Sequence, residues 1–118
     1  SVIIPTRNRG ALLERALAGV LRQSWQDFEV IVVDDASTDD TAERLARCPD
    51  PRLRVLREPR PGGGPRARNR AAAEARGRFL AFLDDDDEWL PEKLARQLAV
   101  FDAGTDELGL VQTGQWVV

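Results

Sequence analysis

The sequence has no histidine and no tyrosine, and its only cysteine is Cys48. A single cysteine excludes a disulfide within the chain and a metal site built from several thiolates. Without histidine, neither a Ser-His-Asp triad nor a histidine-ligated zinc site can form. Any chemistry must therefore come from carboxylates, arginines, hydroxyls and backbone groups.

Long apolar runs are also missing. No stretch approaches the roughly 20 apolar residues that cross a bilayer, and the first residues lack the layout of a signal peptide. We therefore expect no membrane segment in this chain and a cytoplasmic location; association with the inner membrane surface would come through segments outside this sequence. The basic stretch 52–78 contains no aromatic residues on which bases could stack, so nucleic acid is not an expected partner.

The length and composition fit one domain. The 118 residues are 42% hydrophobic and 31% charged, which is enough for a core and too little for two domains. We expect residues 1–118 to form a single domain. The start at Ser1 in place of a methionine, and an end that is still apolar, predict that this domain is the N-terminal part of a longer protein.

Apolar patterning predicts alternating strands and helices. Strands are expected at residues 2–4, 28–33, 53–56 and 79–83, followed by strand segments at 108–113 and 115–118. Helices are expected after the N-cap candidate Asn8, after residues 36–40, from Pro65 and from Pro91. The order β-α-β-α-β-α-β-α-β predicts an α/β fold: a mostly parallel, Rossmann-like sheet with helices on both faces and strand 53–56 nearer an edge.

Acidic residues follow two of the predicted strands. Asp34 and Asp35 end the strand at 28–33, and residues 84–88 carry five carboxylates directly after the strand at 79–83. Ligands bind outside the carboxyl ends of strands in open α/β sheets, so we expect the two groups to meet at one edge. The alternative is a solvated charge cluster before the helix that begins at Pro91. An EF-hand calcium loop is excluded because its sixth position, counted from Asp84, is Trp89.

The residue types at this edge favour a hard cation and a diphosphate. Carboxylates without histidine or thiol suit Mg²⁺ or Mn²⁺, which keep some waters and bind phosphate oxygens. Upstream, Arg66, Arg68 and Arg70 could neutralise phosphate charge or could be exposed helix charges. The glycine-rich loop at 59–65 could cradle a phosphate, but it matches neither a P-loop nor a dinucleotide fingerprint.

Four segments together resemble the donor-binding half of family 2 glycosyltransferases, which have the GT-A fold. They are SVIIPTRNR at 1–9, VVDDASTD at 32–39, ARNR at 67–70 and FLDDDDEWLPEKL at 82–94. The four occur in the family's order and span nearly the whole chain. The resemblance implies an enzyme that transfers a sugar from a nucleoside diphosphate sugar, first of all a UDP-sugar, to an acceptor hydroxyl with inversion at the anomeric carbon.

The resemblance also implies which residues contact the nucleoside. Pro5, Thr6 and Arg7 correspond to the loop after the first strand that lies against the nucleotide base. Asp35 corresponds to the aspartate that contacts the base, and Asp34 supports the turn beside it. Arg7 stands where relatives often have an aromatic residue, and a guanidinium can also stack on a base.

Further residues correspond to the family's diphosphate and metal site. Arg68 lies in the segment that approaches the diphosphate. In the Asp-X-Asp signature at 84–86, Asp84 and Asp85 are implied to face the ribose, and Asp86 together with Asp84 to hold a divalent metal, Mg²⁺ or Mn²⁺. Asp85 replaces the small residue that is frequent at the middle position.

The family's general base and acceptor pocket lie beyond these motifs. We therefore name no catalytic base, expect it beyond Val118, and expect this chain alone to bind a donor while transferring sugar poorly. The acceptor is an unknown hydroxyl compound. Two other classes stay open: a related nucleotidyltransferase or silent nucleotide-binding module, and a phosphorelay receiver domain, which would need a lysine after its fifth strand although the only lysine is Lys93 on a predicted helix.

Overall fold

The computed structural model describes residues 1–114, which form a parallel sheet with helices on both faces. The strands are β1 (Val2–Thr6), β2 (Val30–Asp34), β3 (Leu53–Arg57) and β4 (Ala81–Phe82). Every pairing is parallel, and the order across the described sheet is β3-β2-β1-β4. The predicted α/β class is confirmed, as is the edge position of β3. The carboxyl ends of the four strands consequently share one edge.

Three helices cover one face of the sheet. They are α1 (Gly10–Leu21), α2 (Thr41–Ala46) and α4 (Lys93–Ala103). Leu17, Leu45 and Leu94, one from each helix, share a buried cluster with Ile4 and Val32 of the central strands. Apolar burial of this kind stabilises by about 25 cal/mol per Å², so the face is held mainly by these contacts.

The helix α3 (Gly64–Glu74) covers the opposite face. Its Ala67 and Ala71 are buried against Ile3, Ile31 and Val33. Successive residues of a strand point to opposite faces of the sheet. Because helices cover both faces, every residue of β1 and β2 except Pro5 is buried. Small side chains let α3 lie close to the sheet, which brings its N-terminus near the carboxyl ends of the strands.

The predicted beginning of α1 is wrong. Asn8 is not its N-cap; Arg9 occupies that position, and Asn8 adopts a positive φ of 54°. The Asn8 Oδ1 atom instead accepts hydrogen bonds from the backbone N–H of Thr38 at 2.7 Å and of Asp39 at 3.3 Å. The side chain therefore caps a neighbouring loop in place of its own helix.

The strand predicted at residues 108–113 does not form, and residues 115–118 lie outside the described part of the chain. A strand needs a partner for its hydrogen-bond ladder, and none of the described strands pairs with this segment. Leu110 is 78% exposed and Leu108 and Val111 are half-buried, so the apolar pattern there reflects only partial burial among residues 1–114. No helix among those residues is long and apolar enough to cross a membrane.

Candidate functional site

The carboxyl ends of β1, β2 and β4 enclose an open cavity of about 190 Å³. β1 and β2 run in register from Val2 opposite Val30 to Thr6 opposite Asp34, so the loops after them leave the sheet side by side. The lining residues come from the segments 1–9, 32–39 and 82–94 and from the glycine-rich loop; they are Pro5, Thr6, Arg7, Arg9, Asp35, Gly64 and Asp85. Two of them, Arg9 and Gly64, were not selected from the sequence, whereas the predicted site residues Arg68, Asp84 and Asp86 do not line this cavity.

Asp34 supports the turn after β2. It is 1% exposed, and its Oδ1 atom accepts a hydrogen bond of 2.9 Å from the backbone N–H of Ser37. Its Oδ2 atom lies 3.5 Å from Nε of Arg57. Both carboxylate oxygens are thus directed at the protein, and the side chain fixes the loop that carries Asp35 to the cavity.

Asp35 holds the glycine-rich loop against the site. Its side chain accepts hydrogen bonds from the backbone N–H of Gly62 at 2.7 Å and of Gly63 at 2.8 Å. Gly63 has a φ of +84°, which other residues adopt only with strain. The two amides that looked available for a phosphate are therefore bound to a carboxylate, and the loop is part of the Asp35 environment.

Asp85 is the buried member of the acidic run. It is 6% exposed, while Asp84 and Asp86 have about half of their side-chain surface accessible. Its Oδ2 atom accepts a hydrogen bond of 2.7 Å from the Thr6 hydroxyl, and its Oδ1 atom accepts one of 3.1 Å from Nη1 of Arg9. Asp85 therefore joins the loop after β1 to the loop after β4.

Arg9 and Arg68 supply the positive charge that the acidic run requires. Nη1 of Arg9 also lies 3.0 Å from Oδ2 of Asp86, and Arg68 forms an ion pair with Asp84. The hydrogen bond to Asp85 raises the pKa of Arg9 above its ordinary value, with the charges of Asp85 and Asp86 adding to the effect. Arg9 lies within the motif at 1–9, but its role could not be read from the sequence because its partners lie 76 and 77 positions away.

The other two arginines considered for a phosphate role are directed elsewhere. Nη1 of Arg70 lies 2.6 Å from Oε1 of Glu58, which is buried, and Arg66 approaches Glu58 to 3.8 Å. The bond to Glu58 raises the pKa of Arg70. Of the three candidates on α3, only Arg68 contacts the acidic run.

The carboxylates at this edge are compatible with a hard divalent cation. Mg²⁺ is commonly held by one or two carboxylates together with substrate phosphates and waters, so it does not need a complete protein cage. Asp84 and Asp86 are partly exposed and supply oxygen ligands of this kind. Residues 1–114 contain no group of three or more acidic or cysteine side chains arranged as a complete metal site.

Comparison with known proteins shows the family and the fold. A sequence profile described as glycosyl transferase family 2 matches residues 1–114. The UDP-Glc:alpha-D-GlcNAc-diphosphoundecaprenol beta-1,3-glucosyltransferase WfgD of Escherichia coli is 36% identical over 100 residues, which cover 85% of this chain and 40% of that protein. The chain thus spans about two fifths of the length of this relative.

Two solved structures share the fold. The crystal structure of S. aureus TarS in complex with UDP-GlcNAc superposes with a TM-score of 0.81 at 32% identity, covering 94% of this chain and 36% of that one. The mannosyltransferase PcManGT from Pyrobaculum calidifontis, in complex with GDP-Man and Mn²⁺, gives a TM-score of 0.77 at 34% identity, covering 82% of this chain and 30% of that one.

Proposed function

This chain belongs to glycosyl transferase family 2, and from that premise we propose that it binds the nucleoside diphosphate sugar whose sugar the whole protein transfers to an acceptor hydroxyl with inversion. The observation that carries the proposal is the cavity at the carboxyl edge, where Thr6, Asp35 and Asp85 from three separate segments meet. UDP is the first candidate nucleotide because TarS binds UDP-GlcNAc and WfgD is named for UDP-Glc.

In this proposal the nucleoside lies between the loops after β1 and β2. Pro5, Thr6 and Arg7 lie against the base, and Asp35 accepts a hydrogen bond from it. A carboxylate has about four lone-pair sites, and the amides of the glycine-rich loop use two of those on Asp35. Asp35 can therefore hold the loop and a donor group of the base together, while Asp34 keeps its position.

The diphosphate and ribose lie over the acidic run. Asp84 and Asp85 face the ribose side, Arg68 approaches the diphosphate, and Asp86 with Asp84 holds Mg²⁺ or Mn²⁺. The cation, when bound, neutralises charge on the departing diphosphate. Because Asp85 has both oxygens directed at Thr6 and Arg9, its contribution is to fix the loop in place, and Asp84 and Asp86 provide the accessible oxygens.

The reaction is a single displacement. The acceptor oxygen attacks the anomeric carbon from the side opposite the diphosphate, the bond from that carbon to the phosphate oxygen breaks, and the nucleoside diphosphate leaves with the bonding electrons. The acceptor proton passes to a general base, which we place beyond Val118 in the rest of the protein. A lipid-linked diphosphate acceptor is supported by the name of the WfgD relative.

Calorimetry with UDP, GDP and dTDP, each with and without Mn²⁺, tests donor binding. We expect Mn²⁺-dependent binding of at least one nucleotide, and a loss of at least tenfold in that affinity in Asp86→Ala. The matched control is Asp87→Ala, which removes the same charge from the next residue and should bind like the parent. Equal binding by Asp86→Ala and the parent would contradict the metal assignment.

Sugar transfer by the full-length protein distinguishes a transferase from a nucleotidyltransferase or a silent nucleotide-binding module. We expect release of nucleoside diphosphate coupled to a glycosylated acceptor. Release of pyrophosphate, or binding without turnover across UDP-sugars and GDP-sugars, would favour the alternatives. The receiver-domain alternative has no support from the family comparison, and Lys93 lies in α4.

A further inference from the structure

Arg9 bridges two carboxylates of the acidic run with a single nitrogen. Its Nη1 atom is 3.1 Å from Oδ1 of Asp85 and 3.0 Å from Oδ2 of Asp86. Arg9 is the N-cap residue of α1, and its backbone carbonyl accepts a hydrogen bond of 2.9 Å from the N–H of Leu13. The two carboxylate contacts place its guanidinium beside the cavity that Arg9 lines.

The two carboxylates that Arg9 joins differ in their freedom. Asp85 is buried, and its second oxygen accepts a hydrogen bond from the Thr6 hydroxyl, so Asp85 is a fixed partner for the guanidinium. Asp86 is half exposed. Arg9 thus joins an accessible carboxylate to a fixed one, and Arg9, whose side chain is itself half exposed, lines the cavity.

We propose that Arg9 is a diphosphate-binding residue that also makes metal binding depend on the nucleotide. This inference rests on the proposed function. Before the donor binds, the guanidinium neutralises Asp85 and Asp86 and repels a divalent cation at Asp86. When a diphosphate is present, the remaining N–H groups of Arg9 donate to it, because a guanidinium has five donors and the described contacts use those of one nitrogen.

The charge on Arg9 therefore has opposite effects on the two ligands. Removing it takes away repulsion of the cation, which strengthens binding of the metal alone. The same change removes attraction for the diphosphate, which weakens binding of the nucleotide alone. A residue that only stabilised the loop would weaken both, so the two signs distinguish the roles.

The test compares Arg9→Gln with Arg9→Lys in the full-length protein. We expect Arg9→Gln to bind Mn²⁺ at least fivefold more tightly in the absence of nucleotide, measured by electron paramagnetic resonance. It should bind UDP at least fivefold more weakly in the presence of EDTA, measured by calorimetry. Arg9→Lys keeps the charge and should stay within about twofold of the parent for Mn²⁺. The matched control is Arg15→Gln on α1, which removes a positive charge that is paired with Glu88. It should change neither affinity.

A second measurement uses the parent protein and does not depend on how Arg9→Gln folds. The Nε–H resonance of Arg9, assigned from its loss in Arg9→Lys, should shift when UDP is added and should not shift with uridine. Mn²⁺ affinity unchanged or weakened in folded Arg9→Gln, or an unchanged Arg9 resonance with UDP, would overturn the inference. Failure of the parent to bind any of UDP, GDP and dTDP with Mn²⁺ would overturn the proposed function first, and is detected before any variant is compared.

Discussion

Replacement of Asp35 tests whether this side chain holds the glycine-rich loop as well as the base. Asp35→Ala removes the acceptor for two backbone N–H groups, those of Gly62 and Gly63, which are bonded at 2.7 and 2.8 Å. A partly buried donor left without a partner costs about 1–3 kcal/mol. Part of this cost is recovered by water, so we expect a loss of about 2–4 kcal/mol in the free energy of unfolding.

Asp35→Asn gives a graded intermediate. The amide keeps one carbonyl oxygen, so one of the two loop N–H groups retains its acceptor while the other faces an NH₂ group. The expected loss is therefore about half of that in Asp35→Ala. Asp106→Ala, which removes an exposed carboxylate from a loop distant in sequence, should change stability by less than about 0.5 kcal/mol.

Two assays check this order. Urea unfolding gives the free energies, and hydrogen exchange followed by nuclear magnetic resonance reports directly on the Gly62 and Gly63 amides. Exchange of both amides should accelerate in Asp35→Ala and of one in Asp35→Asn. Unchanged exchange in Asp35→Ala, or equal losses of stability in the two variants, would refute the assigned contacts.

Two further predictions follow from single side chains. Thr6→Val removes the hydroxyl that donates to buried Asp85 at 2.7 Å, and it should lower the free energy of unfolding in urea by about 1.5–3 kcal/mol. Thr6→Ser keeps the donor and should lower it clearly less. Equal losses in the two variants would contradict the hydrogen bond. Burial lowers the pKa of Lys93 to about 8, so between about pH 8 and the ordinary value of 10.5 the unfolded chain binds more protons there and stability should rise with pH. The same rise in Lys93→Met would show that another group causes it.

The sequence predicted the sheet well where burial is continuous. The runs in β1 and β2 are apolar because both faces of these central strands are covered, and no other local pattern competes with that signal. The strand expected at 108–113 failed because apolar residues specify a strand only where a partner strand offers hydrogen bonds. Among the described residues, no strand pairs with that segment.

The site was predictable in its location and less so in its contacts. Strand ends rich in acids share an edge in any parallel sheet, which brought Asp35 and Asp85 to one cavity. The partners of those acids come from distant segments: Thr6 and Arg9 reach Asp85 across 79 and 76 positions, and Gly62 reaches Asp35 across 27. Spacing along the chain carries no information about such pairs. The burial of Asp85 and its contacts with Thr6 and Arg9 are therefore visible only in the structure.

The most direct test of the donor site is a crystal structure of the full-length protein with UDP and Mn²⁺. The account predicts the base between the loops after β1 and β2, within hydrogen-bond distance of Asp35. It also predicts the cation between the diphosphate and Asp86 or Asp84. UDP bound away from this edge, or a cation bound to the diphosphate without either carboxylate, would contradict it.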